Sequence, residues 1–386
     1  PSLDAYVLYR QGLDASRQPI SMDTIATALG WFDGALAVDP GYAAALAGKC
    51  AMYVEAYDEM DDASFIEKAE SACATALSLN PNLDVVHVAL GDLHRFTGDL
   101  ADAESFYMRA LEIDPSRSEA LTGLGIVYAR QNRPDEAEAS FHKAVDIHPG
   151  DAQTYNRLGV FYFETGRFRE AVEQYQYAIA LEPNNMNAYT NLAAANMLAG
   201  NFASAAIAHQ RTLEIEPTAI AYSNLGLMHY YNGDFDEAIA SHAKAIELEP
   251  NDYLARSNLG DSLWNAGRKE EAQREFLKAE TMAEKALEVN PNDPFTMMDL
   301  AWIHAMLDKH GEARELMDRA LVTAPDDPYT YYYDGIVLMR AGDIDGALRA
   351  LEIAADKGYS RLMMGTEPHL KELRSHARFS AIVNAG

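Results

Sequence analysis

The chain has 386 residues, with 31 Lys and Arg against 59 Asp and Glu and a formal charge of −28. That balance speaks against nucleic acid and anionic membrane as direct partners, because phosphate contacts need a clustered basic surface; it suits acidic solvent faces that keep a large Ala-rich chain soluble, the favoured reading, or a neutral or basic peptide partner. Apolar residues make up 48% of the chain, too many for disorder, yet no apolar run is long enough to span a bilayer and no basic-then-apolar leader opens it. These readings predict a soluble chain, placed in the cytoplasm sooner than in the periplasm.

The chain starts Pro1-Ser2 without Met, as a processed protein or a segment of a longer one would. From Ala5 to Pro40, Gly12, Ala28, Phe32 and Ala35 trace the first of a series of similar units. Prolines that stop a helix recur at Pro40, Pro81, Pro115, Pro149, Pro183, Pro217, Pro250, Pro291 and Pro325, most of them 34 residues apart and two intervals of 41. An excess of seven residues is about two helical turns, which predicts longer helices, not floppy loops, in the second and eighth units. In the second, Asp58 to Asp62 lacks the alternating ligands and glycine of a calcium loop and reads as a solvated acidic turn. Cys50 and Cys73 fall on that unit's two helices. They are expected to meet in its seam as two reduced thiols packed as small hydrophobes, with a bridge as the alternative.

The fifth unit, Thr154 to Pro183, is the fullest copy. Tyr155, Leu158, Gly159 and Tyr162 fall on one face of a first helix, and Ala171, Tyr175 and Ala178 on one face of a second. Between such helices stand residues suited to a left-handed cap: Gly98, Asn132, Gly166, Gly200, Gly233, Gly267, Asp308 and Gly342. The tenth unit runs without a closing proline into Lys357-Gly358-Tyr359. Residues 360–386 read as a capping helix with Lys371, Arg374 and Arg378 on one solvated face.

The order aromatic, Leu-Gly, aromatic, then Ala, aromatic, Ala, Pro resembles the tetratricopeptide repeat. The resemblance implies an all-α, right-handed superhelical solenoid of about ten helical hairpins over residues 1–359, with first helices lining a concave groove and 360–386 as the cap. It implies a non-catalytic module for protein interaction. The opening AYVLYRQGL and the closing Arg374, Arg378, Phe379, Ile382 and Val383 further resemble the C-terminal arrays of bacterial signalling proteins of adenylate-cyclase-like, Ser/Thr-kinase-like and TolB-like winged-helix types. Lys49 departs from that pattern, and the chain carries no catalytic or winged-helix domain of its own. The identity of the partner, the compartment and the oligomeric state stay open.

No phosphate-binding loop, HExxH or paired CxxC occurs, and Gly123-Leu124-Gly125 is a repeat position, not a dinucleotide fingerprint. No catalytic residue, cofactor or metal ligand is nominated. His209, His229 and His242 are expected to share one core layer, as an uncharged hydrogen-bonded set in place of aromatics and not as a zinc site. The groove is the candidate site. Arg157, Asn191, Asn224 and Asn258 occupy the same position in successive first helices, with Tyr230, Tyr231, Trp264 and Trp302 about one turn further along. Asn amides offer a donor and an acceptor to an extended backbone, and aromatics offer adaptable contact; the alternative is that the Asn are consensus packing residues. The competing functions are a self-associating scaffold and a small-ligand sensor at the aromatic end. The Lys-based carboxylate clamp of chaperone-binding repeats is absent.

Overall fold

The computed structural model describes residues 1–18 and 21–385, and every regular element among them is helical. A first compact unit holds α1 (Leu3–Ser16), α2 (Met22–Val38), α3 (Ala43–Met60), α4 (Ser64–Leu79), α5 (Asp84–Phe96), α6 (Leu100–Ile113), α7 (Ser118–Arg130), α8 (Pro134–Ile147) and α9 (Ala152–Glu164). Most of α10 (Phe168–Leu181) belongs to a second unit. That unit continues with α11 (Met186–Leu198), α12 (Phe202–Ile215), α13 (Ala219–Asn232), α14 (Phe235–Leu248), α15 (Tyr253–Asn265), α16 (Lys269–Val289), α17 (Pro294–Met306), α18 (His310–Thr323), α19 (Pro328–Arg340) and α20 (Ile344–Asp356). It ends with α21 (Arg361–Thr366), a 3₁₀ helix over Pro368–Ser375 and α22 (Ala377–Asn384).

Within each unit an odd-numbered helix pairs with the next even one, and each hairpin then packs on its successor. The turn residues carry the reversal: Gly98, Gly200, Gly233, Gly267 and Gly342 have φ of +79 to +87°, and Asn132 and Asp308 reach 58° and 59°, the left-handed region in which a helix can end and turn back. At the other end of a hairpin, a Pro-x-Asp sequence both stops one helix and starts the next. The carboxylates of Asp252, Asp293 and Asp327 accept backbone N–H groups of Leu254, Thr296 and Tyr329 at 2.8–2.9 Å, satisfying donors that a helix start leaves open.

The two long intervals lengthen helices. α16 has 21 residues where α14 and α18 have 14. In the second hairpin α3 has 18 and α4 16, against 13 and 14 in α5 and α6. Asp58, Glu59 and Met60 are therefore the end of α3, and only Asp61 (φ 52°) and its neighbours form the turn.

In several hairpins the core layer is an aromatic ring lying on a glycine, whereas in the tenth Leu351 covers Gly335. Phe141 of α8 covers Gly125 of α7, and Phe276 of α16 covers Gly260 of α15, so closely that a Cβ added at either glycine would fall 2.6–2.8 Å from ring carbons. Tyr107 lies on both Gly91 and Gly123, which accounts for the two glycines of Gly123-Leu124-Gly125 as contacts of two successive rings. Alanines at 0% exposure, such as Ala137, Ala144, Ala272 and Ala279, fill the rest of the seam and let the helices approach.

One expectation is corrected. Cys50 of α3 and Cys73 of α4 are joined in a disulfide, with Cα atoms 5.4 Å apart, not packed as two reduced thiols. The seam that brings two small side chains together also brings their Cα atoms within bridging distance.

Candidate functional site

The first helices of the second unit present the expected strip. Asn191, Asn224 and Asn258 are half-exposed on α11, α13 and α15, and the amides of Asn224 and Asn258 have no hydrogen-bond partner among the described residues. Arg157 lies in the first unit on α9, where loss of solvation around its guanidinium and then the Arg95 charge hold its pKa below the ordinary value, against the pull of Glu55, Asp58 and Asp92.

The aromatic strip is a different matter, because the chain's own C-terminal segment lies on it. Residues 360–386 were expected to cap the array. α22 does this, packing on α20 with Phe379 and Ile382 buried, but the preceding stretch crosses the first helices. Leu362 sits over Gly200, and Met363 packs against the core of α12 and α13 as well as that of the last hairpins. Glu367, only 2% exposed, accepts the Tyr230 hydroxyl at 2.7 Å on Oε1 and the Tyr332 hydroxyl at 3.0 Å on Oε2. The backbone N–H of His369 also donates to Oε1, at 3.1 Å.

His369 Nε2 lies 3.0 Å from Asp261 Oδ1, which also accepts Trp302 Nε1–H at 3.1 Å, and the imidazole meets the Trp302 ring edge-on at 5.1 Å. Burial pushes the carboxyl of Asp261 up, with the His369 contact pulling the other way. Burial and then the Glu367 charge hold the hydroxyls of Tyr230, Tyr231 and Tyr332 well above their ordinary range, so they act as donors. Asp299 repeats the device: Tyr253 and Tyr333 each donate to it at 3.1 Å, and burial raises it to about 6.

Tyr230 and Trp302 are thus buried under this segment, where the sequence reading had them facing an open groove. Tyr231 is half-buried and stacked on Phe202 at 5.5 Å; Trp264 is half-buried with Lys269 and Arg340 cations 4.8 and 4.9 Å from its ring. Lys371 and Arg374 are exposed, as a solvated face would have them, but Arg374 also bonds the carbonyls of Thr366 and Glu367, and Arg378 is half-buried and pairs with Glu352 at 2.5 Å. The residues that sequence reasoning missed are Glu367, His369 and Asp261. A signal was present: Pro368 rules out one continuous capping helix, and α21 ends at Thr366 just before it.

The three histidines do not form one ligand set. Nor are they the hydrogen-bonded set expected: His242 is fully buried on Gly226 beside His229 with neither ring nitrogen bonded among the described residues, because its ring takes an apolar packing position, whereas His209 is perturbed by burial alone. Groups of three metal-capable side chains occur instead at His94, Asp99 and Asp102 and at Glu280, Glu284 and His304. In the latter the Lys309 ammonium stands 2.6 Å from Glu280. Among the described residues no helix is long and apolar enough to cross a membrane.

Six repeat models match the chain. Models described as tetratricopeptide repeat match residues 86–149, 128–176, 219–252, 253–277 and 271–328, and one described as TPR repeat matches 161–200. Among solved structures, MamA is 32% identical over 42% of this chain and 95% of its own, with a TM-score of 0.38. YrrB, described as a TPR protein with an unusual peptide-binding site, is 25% identical over 48% of this chain and 95% of its own, TM-score 0.41. The human IFIT1 dimer with m7Gppp-AAAA is 18% identical over 83% and 72% of the two chains, TM-score 0.51, a likeness of fold alone. Among curated proteins none matches the chain.

Proposed function

Because the chain belongs to the tetratricopeptide repeat family, we propose that it is a non-catalytic interaction module whose second unit binds an extended segment of another protein along the first helices. The observation that carries this reading is the pair Asn224 and Asn258. They hold equivalent positions on α13 and α15 of adjacent hairpins, half-exposed, with amides that bond nothing among the described residues. An extended peptide offers a carbonyl and an N–H at short, regular intervals, which periodic amides suit. Asn191 extends the strip by one hairpin, and Trp264 flanks it. Arg157 would serve a separate contact in the first unit. A neutral or basic segment fits the surrounding charge. The resemblance of the two chain ends supports a place in a bacterial signalling protein. A small ligand at the aromatic end is not carried forward, since Glu367 and His369 fill that space.

The test is binding of a partner captured from extract, measured for wild type and for Asn224→Ala with Asn258→Ala. Each amide–backbone bond is worth about 0.5–1.5 kcal/mol, so the pair should weaken binding by roughly five- to 150-fold with helicity and melting unchanged. Equal affinity of two equally folded proteins would make the Asn residues packing consensus and move the binding surface elsewhere.

A further inference from the structure

We propose that the Glu367-Pro368-His369 turn is a built-in occupant of a carboxylate-recognising pocket on α13, α15, α17 and α19, and that this pocket accepts a partner segment carrying an acidic side chain followed two residues later by a hydrogen-bond donor once the turn lifts away. The inference rests on the reading of the second unit as a segment-binding surface and adds the chemistry of its partner and the manner of its regulation.

The pocket is built as a receptor. It offers two tyrosine hydroxyls, Tyr230 and Tyr332, to the two oxygens of one carboxylate. It offers the Asp261 carboxylate, itself fixed by Trp302 Nε1, to a donor on the same segment. Among the described residues no Lys or Arg side chain pairs with Glu367. Taking a carboxylate out of water is costly unless such donors meet it, so a buried Glu in this place is a matter of specific recognition. A plain cap would need only apolar cover.

The occupant, for its part, is constructed as a detachable piece. α21, the 3₁₀ helix and α22 pack on one another. They are tied internally by Arg361 to the carbonyl of Ile382 and by Arg374 to those of Thr366 and Glu367. Met364, Leu370, Leu373, Phe379 and Ile382 are buried in one cluster with Leu263, Trp302, Tyr332 and Leu348 of the last hairpins. The joint to α20 runs through Gly358, whose φ of +104° only glycine adopts readily. α21 has six residues and the 3₁₀ helix eight, lengths that hold no stable helix by themselves. The piece is therefore seated by its docking on the array, through apolar burial of Met364, Leu370 and Leu373 and through the polar contacts of Glu367 and His369, and a competing segment can reproduce the polar contacts.

A labelled peptide copying Ser360 to His376 reads the pocket directly, by fluorescence anisotropy on the full chain. Wild type should bind it weakly, because a tethered occupant competes at high effective concentration. Glu367→Ala with His369→Ala in the chain should vacate the pocket and bind the peptide roughly tenfold or more tightly. Adding Tyr332→Phe should remove most of that gain, and a peptide with Gln at the Glu position should not bind. If the vacated variant keeps its helicity and melting yet binds no better than wild type, the inference is overturned. Should the double variant lose its fold, hydrogen exchange on wild type decides: amides of residues 361–375 should exchange well before those of α17 and α19, and equal protection would make the segment a permanent part of the core. The Asn224 and Asn258 variants do not touch this pocket, so their failure and this one are told apart.

Discussion

His242→Phe should make the seventh hairpin resistant to acid. His242 takes the place on Gly226 that Phe141 and Phe276 take on Gly125 and Gly260; it is 0% exposed, and neither ring nitrogen has a hydrogen-bond partner among the described residues. Burial, with the neighbouring His229 charge, depresses its pKa from 6.5 to about 3. A depressed histidine is neutral in the native state while the unfolded chain takes up a proton below pH 6.5. Native stability from this site is therefore intact above that value and falls as pH drops toward 3. Each pH unit in that window is worth about 1.4 kcal/mol, so roughly 3 kcal/mol is lost between pH 7 and 4.

Phenylalanine binds no proton. The stability gap between variant and wild type should therefore widen by about 3 kcal/mol over the same interval. His209, held down to about 4, and Asp299, held up to about 6, titrate there too, with opposite signs, but they are common to both proteins and cancel in the difference. Stability in a repeat array is local, so the measurement is hydrogen exchange of α13 and α14 amides at several pH values, beside urea unfolding followed by circular dichroism. The pH dependence is the test, since the larger ring could add or cost a little at every pH. A gap that stays flat from pH 7 to 4 would show that the native imidazole is protonated or solvated, and the layer argument would fail.

Gly125→Val would set a Cβ 2.8 Å from ring carbons of Phe141 and should cost about 1–3 kcal/mol through overpacking; exchange protection should fall in α7, α8 and the adjoining helices while α17 to α20 keep theirs, and a uniform loss would refute nearest-neighbour stability. The Cys50–Cys73 bridge joins positions 23 residues apart, so native protein prepared without reductant should show no reactive thiol, and reduction should cost the second hairpin about 3 kcal/mol; two thiols titrating at once would return the pair to small buried hydrophobes.

The hairpins were legible because their determinants are local. A left-handed cap needs Gly, Asn or Asp at one place, a helix stop needs Pro at another, and both recur with the period; even the two-turn insertions in α3, α4 and α16 followed from counting. The Cys pair could be placed but not joined, since spacing along two helices fixes proximity and leaves oxidation open. The path of residues 360–375 was not legible, because its partners stand 35 to 137 positions away in sequence and no period points to them. Only Pro368 betrayed that the cap was not one helix. The same long-range contacts explain why Tyr230 and Trp302, correctly set on the first helices, are covered.

Net charge misleads at such a surface for a physical reason. A total of −28 suggests that a carboxylate would be repelled, but charges beyond a Debye length of about 8 Å are largely screened, and what remains is decided by groups within hydrogen-bond reach. On the first helices of the last hairpins those groups are tyrosine hydroxyls, and two carboxylates, Glu367 and Asp299, are each held between a pair of them at 2.7–3.1 Å. Donation by a hydroxyl needs no net positive charge, so an acidic solenoid can present a site for an acid without carrying a basic patch that its composition would reveal. Along the same helices Asn224 and Asn258 offer amides that take neither sign. Charge composition thus bears on the solvent faces and the long-range approach of a partner, whereas the proposed site would read donors and acceptors one side chain at a time.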